Sequence, residues 1–87
     1  MTTRAKVLLV DDDGGFLRSL ERLLRRDYEV ACRGSGDAAM HYLDEHRNEL
    51  AVVVSDMRMP GADGVTVLEH ALRTAPDVTR ILFTGYA

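Results

Sequence analysis

The sequence predicts an α/β protein built on a doubly wound, parallel sheet. Two observations predict it. Apolar runs recur along the chain: Lys6-Val7-Leu8-Leu9-Val10, Leu50-Ala51-Val52-Val53-Val54 and Ile81-Leu82-Phe83. Continuous runs of this length, rich in Val and Leu and bounded by polar turns, mark strands buried on both faces. Between them lie segments whose apolar residues return at helical spacing. Strands that alternate with helices imply right-handed crossovers and parallel pairing. The run ends are also informative. The first passes into Asp11-Asp12-Asp13, the second through Ser55 into Asp56, and the third into Thr84-Gly85. Parallel strands finish on one edge, and open sheets of this class bind ligands in the crevice there.

The elements follow in the order βαβαβαβ. The first strand covers about residues 6 to 11. Phe16, Leu17, Leu20, Leu23 and Leu24 then recur at helical spacing, with Arg18, Glu21, Arg22 and Arg25 between them, which makes an amphipathic first helix. Gly14-Gly15 loosens its start by up to about 1 kcal/mol per glycine relative to Ala. Tyr28 to Arg33 is a short second strand. Gly34-Ser35-Gly36-Asp37 is a turn, with Ser35 as N-cap. Ala38, Ala39, Tyr42 and Leu43 carry the second helix, which ends in the polar stretch from Asp44 to Glu49. The third strand spans about residues 50 to 55. Pro60-Gly61-Ala62-Asp63-Gly64 is a turn. Val65, Val67, Leu68, Ala71 and Leu72 carry the third helix, closed by Ala75-Pro76, and the fourth strand covers about residues 80 to 84.

Bulk properties narrow the class. A chain of 87 residues holds one domain at most, here residues 1–87. A hydrophobic fraction of 46% and a charged fraction of 29% are those of an ordinary soluble globular protein. The net charge of -3 disfavours non-specific nucleic-acid binding. No apolar stretch approaches the roughly 20 residues that cross a bilayer, so no membrane contact is expected. Met1 to Lys6 runs straight into a strand and reads as no signal peptide. Cys32 stands alone and forms no internal disulfide, and the expected compartment is the cytoplasm.

Asp11, Asp12 and Asp56 converge on one mouth in such a fold. Neighbouring carboxylates repel, and a hard divalent cation compensates them. Mg²⁺ takes oxygen ligands, typically one or two carboxylates with waters and a phosphate oxygen. One carboxylate is then available to attack a phosphoryl group and form an aspartyl phosphate. Thr84, at the neighbouring strand end, offers a hydroxyl to one of its oxygens.

Three stretches carry a resemblance. Val7-Leu8-Leu9-Val10-Asp11-Asp12-Asp13, then Asp56-Met57-Arg58-Met59-Pro60-Gly61-Ala62-Asp63-Gly64, then Leu82-Phe83-Thr84-Gly85 together resemble the receiver domain of two-component response regulators. Ser35-Gly36-Asp37-Ala38-Ala39 before the second helix fits as well. The resemblance covers the whole chain, in order and without insertions. It implies a flavodoxin-like sheet, Asp56 as phosphoacceptor, Asp12 as the main side-chain ligand of Mg²⁺, and Asp11 acting through water and electrostatics. It further implies that the backbone carbonyl of Arg58 completes the ligands and that Thr84 is the switch hydroxyl. The phosphodonor is then a sensor histidine kinase. Phosphorylation shifts a population between two conformations, which an output domain or partner outside this chain reads. Such a domain is a signalling module rather than an enzyme, and it makes no direct nucleic-acid contact.

The departures also carry expectations. The family places a lysine and an aromatic switch residue on a fifth strand, flanked by a fourth and a fifth helix. The sequence stops before them, so the expected sheet is incomplete, with order 2-1-3-4. Lys6, the only lysine, sits at the far edge and is no substitute. A C-terminally truncated domain would leave its fourth strand as an open edge. The cover it lacks is comparable with a whole domain's stability of about 5–15 kcal/mol. The chain is therefore expected to form a homodimer, a swapped assembly or a rearranged packing, with impaired switching.

Other readings stand beside this one. The chain as given could be an interaction or dimerisation domain that is not phosphorylated. Asp11-Asp12-Asp13-Gly14 also fits the opening of haloacid dehalogenase-like phosphatases, with Asp11 as nucleophile and Asp13 as acid/base, although Gly15 and the Asp56-to-Pro60 turn do not suit that family. Asp13 otherwise reads as a first-turn helix acid, and Asp63-Gly64 as turn chemistry. His41, His46 and His70 read as surface or boundary residues, Cys32 as an inert strand residue, and Arg22, Arg25, Arg26 and Arg33 as a solvated basic patch.

Overall fold

Each apolar run is a strand, and all the strands point one way. A computed structural model describes residues 4–84, so Gly85, at the polar end of the third run, lies outside the described residues. The elements are β1 (Lys6–Val10), α1 (Gly14–Leu24), β2 (Glu29–Arg33), α2 (Gly36–His46), β3 (Leu50–Asp56), α3 (Gly64–Thr74) and β4 (Thr79–Phe83). They form a four-stranded parallel sheet in the order β2-β1-β3-β4, the flavodoxin-like arrangement expected above.

Boundaries shift where hydrogen bonds decide them. Tyr28 is not in β2, because its N–H donates to the Leu24 carbonyl at 3.0 Å and closes the end of α1. β3 runs one residue further than expected and includes Asp56, which pairs with Phe83. β4 starts one residue earlier and ends at Phe83, leaving Thr84 just past the strand.

Side chains alternate across the strands. Leu8, Val10 and Val53 face α2 and α3, where they meet Tyr42, Leu43, Val67 and Ala71. Val7 and Leu9 face α1 and meet Leu17. Both faces of β1 are therefore buried, which is why its sequence is an unbroken apolar run. Each fully buried Val or Leu contributes about 1.5–3 kcal/mol. Among the described residues, α1 is the one helix that covers this second face. Val52 and Val54 are partly buried there.

All three helices begin on a side-chain cap. Asp13, Ser35 and Asp63 accept from the N–H groups of Phe16, Ala38 and Thr66 at 3.1, 3.1 and 2.9 Å. Ser35 was the expected cap. Asp13 and Asp63 take the same role, more specific than the first-turn acid and turn residue read from sequence. The Thr66 hydroxyl also donates to Asp63, and the bonds from Thr66 hold the Asp63 carboxyl below its usual range.

Polar contacts settle the remaining assignments. Arg33 leaves the proposed basic patch: its guanidinium lies 4.5 Å from the Tyr42 ring centre and donates to the Cys32 carbonyl at 2.7 Å. His46 stacks on the same ring at 4.2 Å, with Nδ1 2.9 Å from the Glu49 carboxylate. His70 Nε2 lies 2.8 Å from Asp44, joining α3 to α2. Lys6 pairs with Glu49 at 3.3 Å, at the start of β1 and so at the edge opposite the aspartates. Burial pushes the Cys32 thiol up, away from the reactive thiolate.

A carboxylate mouth at the strand ends

Register brings the acids together. Val10 pairs with Ser55, so Asp11 and Asp56 are the next residues on adjacent parallel chains. Asp11, Asp12 and Asp56 each present a carboxylate oxygen, and these oxygens lie within 4.8 Å of one another. With Thr84, Asp13, Phe16 and Phe83 they line a cleft of about 390 Å³.

Three consecutive aspartates take three different environments. Asp11 is buried, at 6% exposure, and its N–H continues the sheet by donating to the Arg33 carbonyl at 3.2 Å. Its Oδ1 accepts the Asp13 N–H at 2.9 Å, which turns the chain out of β1. Asp12 is exposed at the rim, and Asp13 caps α1. The cap occupies the very carboxylate that a phosphatase of the alternative class would use as acid/base. Burial pushes the Asp11 carboxyl above its usual range. The Asp13 N–H opposes this, and the charges of Asp56, Asp12 and Asp13 add to it. Its ionised form is thus the costly one.

Asp56 is half-buried at the end of β3. Its backbone is fixed from both sides. The Ser55 hydroxyl donates to its carbonyl at 3.0 Å, and the Met57 N–H donates to Phe83 at 2.9 Å. Gly64 starts α3 directly against this point, its N–H donating to Met57 at 3.0 Å. A Cβ on Gly64 would collide with the Asp56 carbonyl and press on Leu82. Gly61, at φ +76°, turns the intervening loop through the left-handed region that favours glycine.

The structure thus brings Asp11, Asp12, Asp56 and Thr84 to one cleft. Arg58 stands in the loop after β3, exposed, and lines the neighbouring groove with Met57, Met59, Pro60, Gly61 and Asp63. Phe16 and Phe83, read from sequence as a helix and a strand residue and not as part of the site, also line the cleft. Their ring centres lie 5.6 Å apart at 48°. The helical wheel sets Phe16 off from the core stripe without placing it in the cleft. Leu17, Leu20 and Leu24 fall on one stripe, with Phe16 and Leu23 together on its flank.

The donor set fits Mg²⁺. Carboxylate oxygens within 4.8 Å of one another, from two strand ends, are of the hard ligand type that Mg²⁺ takes. Fold and mouth together define an open parallel α/β domain with an acidic crevice at the carboxyl ends of its strands.

Comparison with known proteins gives the family. The chain belongs to the response regulator receiver domain family, whose model matches residues 7–87. The two-component response regulator ORR26 of Oryza sativa subsp. japonica is 44% identical over 66 residues, 75% of this chain and 11% of its own length. The sensor kinase CckA of Brucella abortus (strain 2308) is 38% identical over 84 residues, 95% of this chain and 9% of its own length. The chain therefore spans about a tenth of these relatives. A receiver domain protein from Clostridium thermocellum superposes with a TM-score of 0.89 at 31% identity, over 95% of this chain and 67% of that one. The CheX-CheY-BeF3-Mg complex of Borrelia burgdorferi shares the fold, with a TM-score of 0.86 at 21% identity, over 97% of this chain and 64% of that one.

Proposed function

We propose that this receiver accepts a phosphoryl group on Asp56 from a phosphohistidine of a sensor histidine kinase. The supporting observation is the convergence of three carboxylates within 4.8 Å at the ends of β1 and β3, in a chain of the receiver family. Asp12, Asp11 and Asp56, with the backbone carbonyl of Arg58, would hold Mg²⁺. The ion, when bound, neutralises charge on the phosphoryl oxygens during transfer.

The chain's own groups do the rest. The bonds around Ser55, Met57 and Gly64 fix the Asp56 backbone at the cleft that its side chain lines. An Asp56 oxygen forms the new bond to phosphorus. The bond from phosphorus to the donor nitrogen breaks with its electron pair, and the departing imidazole takes up a proton. Asp11 and Asp12 stay unmodified. The Thr84 hydroxyl then donates to a phosphoryl oxygen, and its movement toward the new group is the start of the conformational switch read by an output domain or partner.

Incubation with acetyl phosphate and Mg²⁺, followed by peptide mapping under mildly acidic conditions, tests this reading. The expected result is one added phosphoryl group, on Asp56, absent without Mg²⁺ and absent in Asp56→Asn. Modification elsewhere, or none, would refute it. The second outcome would favour a domain that acts by interaction alone.

A further inference from the structure

Among the described residues, Phe16 lies outside both buried clusters. It sits in the first turn of α1 as a residue 42% exposed, while Leu17 beside it is buried. Its backbone is held in position, because its N–H donates to the Asp13 cap. Its ring leans on Phe83 and lines the cleft that holds Asp11, Asp12, Asp56 and Thr84. Phe83 is anchored by pairing directly with Asp56 across β3 and β4. A half-bare aromatic wall therefore stands beside the acceptor carboxylate, fixed at both ends.

The geometry points to Phe16 as a specificity residue that packs against a flat, aromatic leaving group on the incoming phosphoryl donor. This inference rests on Asp56 being the phosphoacceptor and deepens that reading. In an in-line transfer the leaving group lies on the side of phosphorus away from the Asp56 oxygen, toward the open side of the cleft. The acidic side chains can hold a cation and phosphoryl oxygens and can accept from a ring N–H, but they offer no apolar surface to the face of a ring. Phe16 does, because offset or edge-to-face ring contacts are favourable over and above the area they bury. An imidazole leaving group gains that contact as the bond from phosphorus to nitrogen lengthens. An acetate leaving group is small and has no ring, so it gains little.

Two small donors separate these cases: monophosphoimidazole and acetyl phosphate. In each reaction an Asp56 oxygen binds phosphorus. The electron pair of the broken bond goes to imidazole nitrogen, which is then protonated, or to acetate oxygen. Second-order phosphorylation rates with both donors are measured for the protein and for Phe16→Ala, Phe16→Leu and Phe16→Tyr. The Ala and Leu variants should lose about two- to tenfold with monophosphoimidazole and keep the acetyl phosphate rate. The Tyr variant should retain both. Leu preserves apolar bulk at the position, so it answers the question even if the Ala variant folds poorly. An unchanged ratio of the two rates in Phe16→Leu, or an equal loss with both donors, would overturn the assignment. If neither donor modified Asp56 in the unaltered protein, the phosphoacceptor reading itself would fail first, a result distinct from either.

Discussion

Asp11 bears the electrostatic cost of the mouth. It is the most buried of the clustered acids and faces Asp12, Asp13 and Asp56. Its carboxyl binds a proton more tightly folded than unfolded. Its contribution to stability is therefore fully present below the ordinary carboxylate range and is lost as pH rises through its own raised range. At neutral pH the ionised group is a net cost, which a cation offsets. Mg²⁺ should thus raise the melting temperature at pH 7, by an amount equivalent to about 1.4 kcal/mol at ten times its dissociation constant. The shift should shrink as acid protonates Asp11. Thermal unfolding with and without Mg²⁺ at several pH values checks this, and a shift independent of pH would contradict it. Removing Asp12, the exposed carboxylate proposed as a ligand at the rim, should weaken Mg²⁺ by at least roughly tenfold, the loss that outer-shell changes alone produce. Calorimetric titration of Asp12→Ala measures it.

At the scale of elements, placement of the site depends on two close approaches. Gly64 lets α3 start against the Asp56 carbonyl, and Gly36 lets α2 start against the Ala62 backbone. Gly64→Ala should cost about 1–3 kcal/mol by forcing α3 away from β3, and it should lower acetyl phosphate reactivity together with stability. Denaturant unfolding and phosphorylation rates on the same variant test this, and a neutral result would mean the helix start is free to move. Leu43→Ala, which opens a void under the buried residues of β1, should cost about 2–5 kcal/mol without altering the mouth directly. The elements were legible in the sequence because strand burial on both faces leaves an apolar run, and helix amphipathicity leaves a period. The caps at Asp13 and Asp63 were only half legible. An acid before a helix can serve the dipole, a turn or a cap, and the choice depends on backbone angles at that residue. Arg33 was misplaced for a related reason. Its partner, Tyr42, is a tertiary neighbour with no local spacing to reveal it. Asp11, Asp12, Asp56 and Thr84 could be gathered from sequence since parallel strands must end on one edge. Phe16 could not be assigned to the cleft, because a phenylalanine within a helix period looks like core until the covering layer is known.

The whole molecule is asymmetric about its sheet. Among the described residues, two helices and a continuous cluster cover one face, and α1 covers the other. β4 is the outer strand of the described residues and is exposed along most of its length, with Ile81 at 45%. Exposed strand edges with apolar side chains invite pairing. The 87-residue chain by itself should therefore self-associate with rising concentration in the micromolar range. Sedimentation velocity should show its mean coefficient climbing, and a constant monomer value would contradict this. At this scale too, no helix among the described residues is long and apolar enough to cross a membrane.

The convergence of Asp11, Asp12 and Asp56 on one phosphoryl site is tested most directly by beryllofluoride, a small mimic of an acyl phosphate. Backbone amide NMR spectra of the protein with Mg²⁺ should change on its addition, most strongly after β1, at the end of β3 and around Thr84. The same spectra of Asp56→Asn should stay still, and so should those recorded with Mg²⁺ withheld. Equal changes in Asp56→Asn, or no response of the unaltered protein at millimolar Mg²⁺, would contradict the account.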